Sequence, residues 1–225
     1  MKECLKIKDD LREGIVVRRI NRFVVKALQG ERIRLCHLHD TGRLKELIYP
    51  GNSVLFIDRK SPLTDCMIIA AKGSNGWVIT NTLLHRELAL CLFPKNVKVI
   101  PEVKIFESRI DFFINPNIYV ETKGCTLIKD DVALFPDAPT ERGKKHILTL
   151  IKAVESGYRA ELLFLIMNEG AKCFYPNYIT DPEFEKLFFK ALEKGVKVRS
   201  AVFSLKGKTV YYLKNVKLCR NKPRI

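Results

Sequence analysis

A chain of 225 residues with 47% hydrophobic and 29% charged side chains can bury one large or two small cores and is too apolar for extended disorder. Forty Lys and Arg against 25 Asp and Glu give a net charge of +15, which points to a polyanionic partner. No apolar run approaches the roughly 20 residues of a spanning helix, and the charged start MKECLKIKDDLREG lacks a signal peptide's apolar stretch, so a cytoplasmic location without a membrane partner is expected.

The first 80 residues are strand-rich. The runs IVVRRI, FVVKAL, RIRLCHL, SVLFI, CMIIAA and GWVIT are broken by Gly14, Gly30, Gly51 and Gly76, with one short helical piece near 43–47. Five or six short strands of this kind fit a small closed barrel. Around Thr80 the pattern changes: Asn81 or Thr82 can cap a helix running to about Leu92. Strands follow near 97–105, 109–114 and 117–124, then a long loop and a helix near 139–156. That helix is expected to be capped by Asp137, with Pro139 in its first turn and Ile147, Leu150, Ile151 and Val154 facing a sheet. A buried strand at 160–167 comes next, then a helix opened by Thr180-Asp181-Pro182 and closed at Gly195, then two terminal strands, VKVRSAVF and TVYYLKNV. The expected division is 1–80 and 81–225.

Charge is spread over both parts: residues 1–80 hold 15 basic and 9 acidic side chains, and the rest hold 25 and 16. A local excess occupies 196–225, with nine basic residues and no acidic one, equally suited to protecting a strand edge or to contacting phosphate. The seven cysteines, Cys4, Cys36, Cys66, Cys91, Cys125, Cys173 and Cys219, are scattered singly and odd in number. They read mostly as small core residues in a reducing compartment, without zinc or disulfide spacing.

The chemistry is concentrated in SRIDFFI and IYVETKG, two strand-like runs joined by Asn115-Pro116-Asn117. Period-two alternation puts Glu121 and Lys123 on one strand face, and a hairpin brings Asp111 beside them. Two carboxylates suit Mg²⁺ or Mn²⁺, and the lysine can orient a water or stabilise phosphoryl charge. The same spacing also fits a plain cross-strand ion pair. Arg142 and His146, four apart on the following helix, are neighbours on one side; Arg142 suits phosphate, while His146 stays undecided between site and surface. No phosphate-binding glycine loop, dinucleotide fingerprint or nucleophile elbow is present, which leaves a sugar-converting enzyme without support.

The run 108–150, above all Val132-Ala-Leu-Phe-Pro-Asp-Ala-Pro-Thr-Glu-Arg-Gly143, closely resembles the sugar fermentation stimulation protein A family. Weaker matches at Asn21-Arg22-Phe23, Thr41-Gly42-Arg43 and Pro50-Gly51 extend it over nearly the whole chain. The resemblance implies an α/β (α+β) protein: a small N-terminal OB-like β-barrel followed by a restriction-endonuclease-like, PD-(D/E)XK domain with a mixed sheet flanked by helices. It also implies DNA binding, with Asp111 as the family's strand aspartate and Glu121 and Lys123 as its ExK pair. Glu102 matches an acidic family position and is favoured over Glu87 as a further metal ligand. An OB-like barrel would place Arg18, Arg22, Arg34 and Arg43 against DNA together with Arg142, and would use Phe23, Tyr49 or Trp77 as stacking platforms. Asp137 and Glu141 would wall the substrate. Two departures stand out: His39-Asp40 replaces a usual Pro-Asn, adding a carboxylate that would repel phosphate, and Asp131 replaces a usual glycine. Two functions follow from the resemblance, a Mg²⁺- or Mn²⁺-dependent deoxyribonuclease and a non-catalytic DNA-binding regulator of sugar (maltose-type) metabolism genes.

Overall fold

A computed structural model describes residues 1–224, so only the last residue of the expected 81–225 unit lies outside it. The N-terminal half runs through β1 (Lys2–Lys6), β2 (Arg12–Arg19), β3 (Val24–Gln29), β4 (Arg32–His37), β5 (Ser53–Asp58), β6 (Cys66–Gly73) and β7 (Gly76–Ile79). Strands β2 to β6 close into a five-stranded barrel in the order β5-β2-β3-β4-β6, sealed by the β5–β6 ladder. Alternation produces this barrel: Gly14 and Val16, Val25 and Ala27, and Arg34 and Cys36 point inward while their neighbours point out.

A 3₁₀ turn, Thr82–Leu84, capped by the Asn81 side chain, leads into α1 (His85–Leu92). Then come β8 (Val99–Ile105), β9 (Ser108–Ile114), β10 (Ile118–Cys125), β11 (Leu127–Lys129), β12 (Val132–Phe135), α2 (Glu141–Glu155), β13 (Arg159–Ile166), β14 (Cys173–Pro176), α3 (Pro182–Glu193), β15 (Lys197–Lys206) and β16 (Thr209–Leu218). The central sheet is mixed: β8, β9 and β10 are antiparallel, β10, β13 and β15 are parallel, and β16 returns antiparallel to β15. One apolar cluster runs from the barrel through Leu88 and Ala89 of α1 to Leu163, Leu165 and Phe203 on one face of this sheet. The other face packs Leu162, Phe164 and Ile166 against Ile147 and Leu150 of α2 and Phe184 and Phe188 of α3. The molecule is therefore an OB-type barrel joined to a restriction-endonuclease-like α/β domain. No helix among the described residues is long and apolar enough to cross a membrane.

Several local expectations change. Residues 43–47 form turns closed onto the Leu44 carbonyl instead of a helix. The loop after β10 contains the hairpin β11–β12, whose turn holds Asp130 at φ 49° and Asp131 at φ 64°. Such left-handed backbone favours glycine, so a glycine at 131 would fit this turn without strain. Thr140, not Asp137, caps α2, its side chain accepting from Gly143 N at 3.0 Å. The α3 start is as expected, with Asp181 accepting from Phe184 N at 3.0 Å and Pro182 in the first turn.

The cysteine expectation is overturned. Cys4–Cys91, Cys36–Cys66 and Cys173–Cys219 are disulfides with Cα–Cα separations of 5.3, 4.4 and 5.1 Å, leaving only Cys125 free and buried among the described residues. The partners are 87, 30 and 46 residues apart. They meet because tertiary pairing juxtaposes them: Cys36 and Cys66 are direct neighbours in the β4–β6 ladder.

Candidate metal and nucleic-acid site

The β9–β10 ladder runs from Ile114↔Ile118 to Phe112↔Val120 and stops one step before Asp111 and Glu121. Where the strands part, the Asp111 carboxylate replaces the missing backbone partner. Its Oδ2 accepts from Thr122 N at 2.7 Å and from the Thr122 hydroxyl at 2.5 Å. Burial, reinforced by the neighbouring Glu121 charge, raises the Asp111 pKa.

Glu121 is 1% exposed. Its Oε1 takes both Lys123 Nζ and His146 Nδ1, while its Oε2 is buried without a hydrogen-bond partner. Burial alone would raise this carboxyl; the attraction of Lys123 and the hydrogen bond from His146 outweigh it, and its pKa is lowered. Lys123 Nζ also lies 3.3 Å from His146 Nδ1. Because Nδ1 faces an acceptor, the imidazole proton belongs on that nitrogen. His146 thus reaches the site from α2, deciding a position the sequence left open.

These groups open onto a cleft of about 510 Å³ whose lining includes His39, His85, Glu102, Asp111, Glu121, Lys123 and Arg142. Glu102 sits on β8 beside Asp111 with φ 54°, at the step skipped by the β8–β9 pairing, and is exposed on the rim. Glu87 is exposed and outside the cleft lining; α1 sends His85 there instead. A Cβ at Gly124 would overlap the His85 ring, so the glycine after Lys123 lets that imidazole lie on the strand backbone. Burial, with a smaller contribution from His39, depresses the His85 pKa to about 4 and keeps it neutral at pH 7. Neither His85 nor Thr122 was singled out from sequence. The glycine following the ExK triplet was the only available signal for a close approach.

The remaining candidates separate clearly. Arg142 lines the cleft, whereas Glu141 is exposed and pairs with Lys144 at 2.7 Å, away from it. Asp137 lies outside the cleft lining: its Oδ2 accepts from Arg43 N at 2.8 Å and Leu44 N at 3.4 Å, tying the Thr41–Arg43 loop to the segment before α2. Arg19, also missed, braces that loop through the Arg43 carbonyl and through Gly42 O at 3.0 Å. Asp40 turns onto Gly42 N at 2.6 Å, and burial raises its pKa to about 6. Arg34 is 5% exposed, with its guanidinium on Asp58 at 2.5 Å, Asp65 at 3.2 Å and Gln29 at 2.9 Å, so each of its three nitrogens is already engaged within the protein. Arg18 and Arg43 are exposed, and Arg22 lies over Phe23 at 5.7 Å. Of the expected platforms, Phe23 and Tyr49 are exposed, while Trp77 is half-buried under Lys72.

Profiles described as "Sugar fermentation stimulation protein RE domain" and "SfsA N-terminal OB domain" match residues 78–209 and 17–80. The chain belongs to the sugar fermentation stimulation protein family. Within that family it is 48% identical over 207 residues to a sugar fermentation stimulation protein homolog of Sulfolobus acidocaldarius, covering 92% of this chain and 89% of the relative. A homolog from Saccharolobus solfataricus is 46% identical over 213 residues, covering 94% and 87%. A solved structure, described as "The structure of Pyrococcus Furiosus SfsA in complex with Ca2+", superposes with a TM-score of 0.89 at 28% identity, covering 97% of this chain and 99% of that one.

The donor set fits a hard divalent cation. Asp111 and Glu121 offer carboxylate oxygens, and the partnerless Glu121 Oε2 is a buried acceptor open to a cation or a hydrogen-bond donor. No ready-made group of three or more acidic, His or Cys ligands exists among the described residues. Two carboxylates with the balance of the coordination left to water and phosphate suit Mg²⁺ or Mn²⁺ better than a closed all-protein cage.

Proposed function

We propose that this sugar fermentation stimulation protein binds DNA and cleaves its phosphodiester bonds at Asp111, Glu121 and Lys123. The observation that carries this reading is the parting of β9 from β10 at Asp111 and Glu121, where a buried carboxylate oxygen is left unmatched in a cleft that also holds Lys123 and Arg142. A Mg²⁺ or Mn²⁺ ion held by these two carboxylates, with Glu102 at the rim, would polarise the scissile phosphate and acidify a water. The similar Pyrococcus furiosus structure is a complex with Ca²⁺, which supports a divalent ion in this family.

The chain's own residues do the rest. Thr122 holds Asp111 through one oxygen and leaves the other free. His146 and Lys123 share Glu121 Oε1, fixing the carboxylate and stationing the ammonium where an attacking water or a phosphate oxygen can be oriented. Arg142 adds a cation for a flanking phosphate. We assign nucleic-acid contact also to Arg18, Arg22 and Arg43, with the barrel and the nuclease-like part dividing near residue 80. Location in the cytoplasm is part of the same reading; with three disulfides, it calls for a compartment where such bonds persist, as in hyperthermophiles.

The test is incubation of plasmid and single-stranded DNA with Mg²⁺, Mn²⁺ or chelator, alongside Asp111→Ala and Lys123→Ala. Cleavage requiring metal and both side chains supports the enzyme. Intact DNA in every lane with retained binding replaces it with the non-catalytic regulator.

A further inference from the structure

Three depressions follow one another across the surface, each sharing wall residues with the next. The first, about 450 Å³, lies on the barrel between Arg22, Phe23 and Leu63; the second, about 370 Å³, shares His37 with it and adds Arg59 and Leu83. The second shares His39 with the 510 Å³ cleft that holds Asp111 and Glu121. The first two compartments have no carboxylate in their walls, and neither Arg22 nor Arg59 pairs with an acid among the described residues. Their apolar side chains are unusually bare for their size: Phe23 is 43% exposed, Leu63 77% and Leu83 46%. Phe23 lies nearly parallel to His37, with centroids 6.3 Å apart, and His37 meets His39 edge-on at 5.6 Å.

We infer that this groove is a track for single-stranded nucleic acid, threading a strand from Phe23 past His37 and His39 into the carboxylate cleft. The inference rests on the nuclease reading above and names its substrate class. Aromatic faces are useful to bases whose own faces are free, which a stacked duplex does not offer, and arginines without acidic partners follow a backbone. Each compartment is the size of a small-ligand pocket, and the track ends at Glu121, which is 1% exposed. A strand can reach that depth by itself; a duplex would have to part first. Cations line the approach and carboxylates appear only at its end, so phosphate is drawn along the groove and meets negative charge where the cation would neutralise it.

Fluorescence anisotropy of the full chain in chelator, with a 20-nucleotide oligo-dT and a 20-base-pair duplex at one salt concentration, tests this. The single strand is expected to bind at least tenfold tighter. Phe23→Ala should weaken single-strand binding about tenfold and duplex binding less than twofold, with unchanged thermal unfolding because the ring is exposed. Arg59→Ala should flatten the salt dependence of single-strand binding. Equal affinities, or an unaltered single-strand affinity in folded Phe23→Ala/His37→Ala protein, overturn the track and leave the nuclease reading standing. If the unaltered protein binds neither DNA, both fall.

Discussion

Two buried charges, Arg34 in the barrel and Glu121 in the central sheet, are treated in opposite ways. Each nitrogen of the Arg34 guanidinium is matched by Gln29, Asp58 or Asp65. Glu121 receives Lys123 and His146 on one oxygen and nothing on the other, beside a second carboxyl whose proton affinity is raised. A fully matched buried ion closes a structure, whereas a half-matched one stays ready for a ligand of opposite charge. Residue type and charge would have ranked both as functional; hydrogen-bond accounting separates them.

The largest expected effect breaks the Glu121 side. Glu121→Gln should lower metal-dependent cleavage at least about 1,000-fold, some 4 kcal/mol of barrier, in a plasmid-nicking time course. Its thermal stability should fall modestly, because the neutral amide gives up the attraction of Lys123 that outweighs burial. A large fall in stability with activity intact would make Glu121 structural, like Arg34.

Disulfides give the next effect, and they bear on the framework common to both regions. Cys4→Ser/Cys91→Ser opens the longest closed loop, 87 residues, and chain-entropy reasoning puts the loss at about 4.6 kcal/mol. Denaturant unfolding should show it, and added reductant should bring the unaltered protein down by at least as much. Equal stability with and without reductant would mean that these bonds do not hold the fold.

On the Arg34 side, Arg34→Ala leaves Asp65 without its ion partner and Asp58 with Arg12 alone. A destabilisation of about 2–3 kcal/mol is expected, moderated because both aspartates reach water, together with unchanged DNA affinity for the folded protein. Lost DNA binding without lost stability would return Arg34 to the interface.

Much of this was legible in sequence, for physical reasons that differ from element to element. Period-two alternation marks the barrel strands, and Asp181-Pro182 marks the α3 start because capping chemistry is local. Glu121 and Lys123 share a face because strands repeat every two residues, and Asp111 joins them through a short hairpin. What escaped depends on distant partners. β1 pairs with β16 from the far end of the chain, so the charged run KECLK gave no strand signal. The disulfide pairings and the Arg34 ion cluster exist only once strands are neighbours. Asp137 looked like a helix cap because Thr140 is an equally good one three residues on, and only the approach of Gly42 and Arg43 reveals its use.

A smaller effect concerns that joint. Asp40 is buried near Asp137, Arg19 and Glu46, and its pKa is raised to about 6 in the folded protein against 3.8 for the ordinary carboxyl. Between those values the native state holds a proton the unfolded chain has released, so stability is lost as pH rises from about 4 to 6 and stays lost above. Asp40→Asn keeps the acceptor for Gly42 N and removes the charge. It should stabilise the protein by about 1–2 kcal/mol at pH 8 and by almost nothing at pH 4, in paired thermal melts. The opposite pH trend would mean that Arg19 outweighs burial there.

The unmatched Glu121 Oε2 is tested most directly by Mn²⁺ titration calorimetry on the full chain and on Glu121→Gln, Asp111→Asn and Arg34→Ala proteins. One Mn²⁺ site is expected in the unaltered and Arg34→Ala proteins and none in the two carboxylate variants. Undiminished Mn²⁺ binding by folded Glu121→Gln and Asp111→Asn proteins, or none by the unaltered chain, would contradict it.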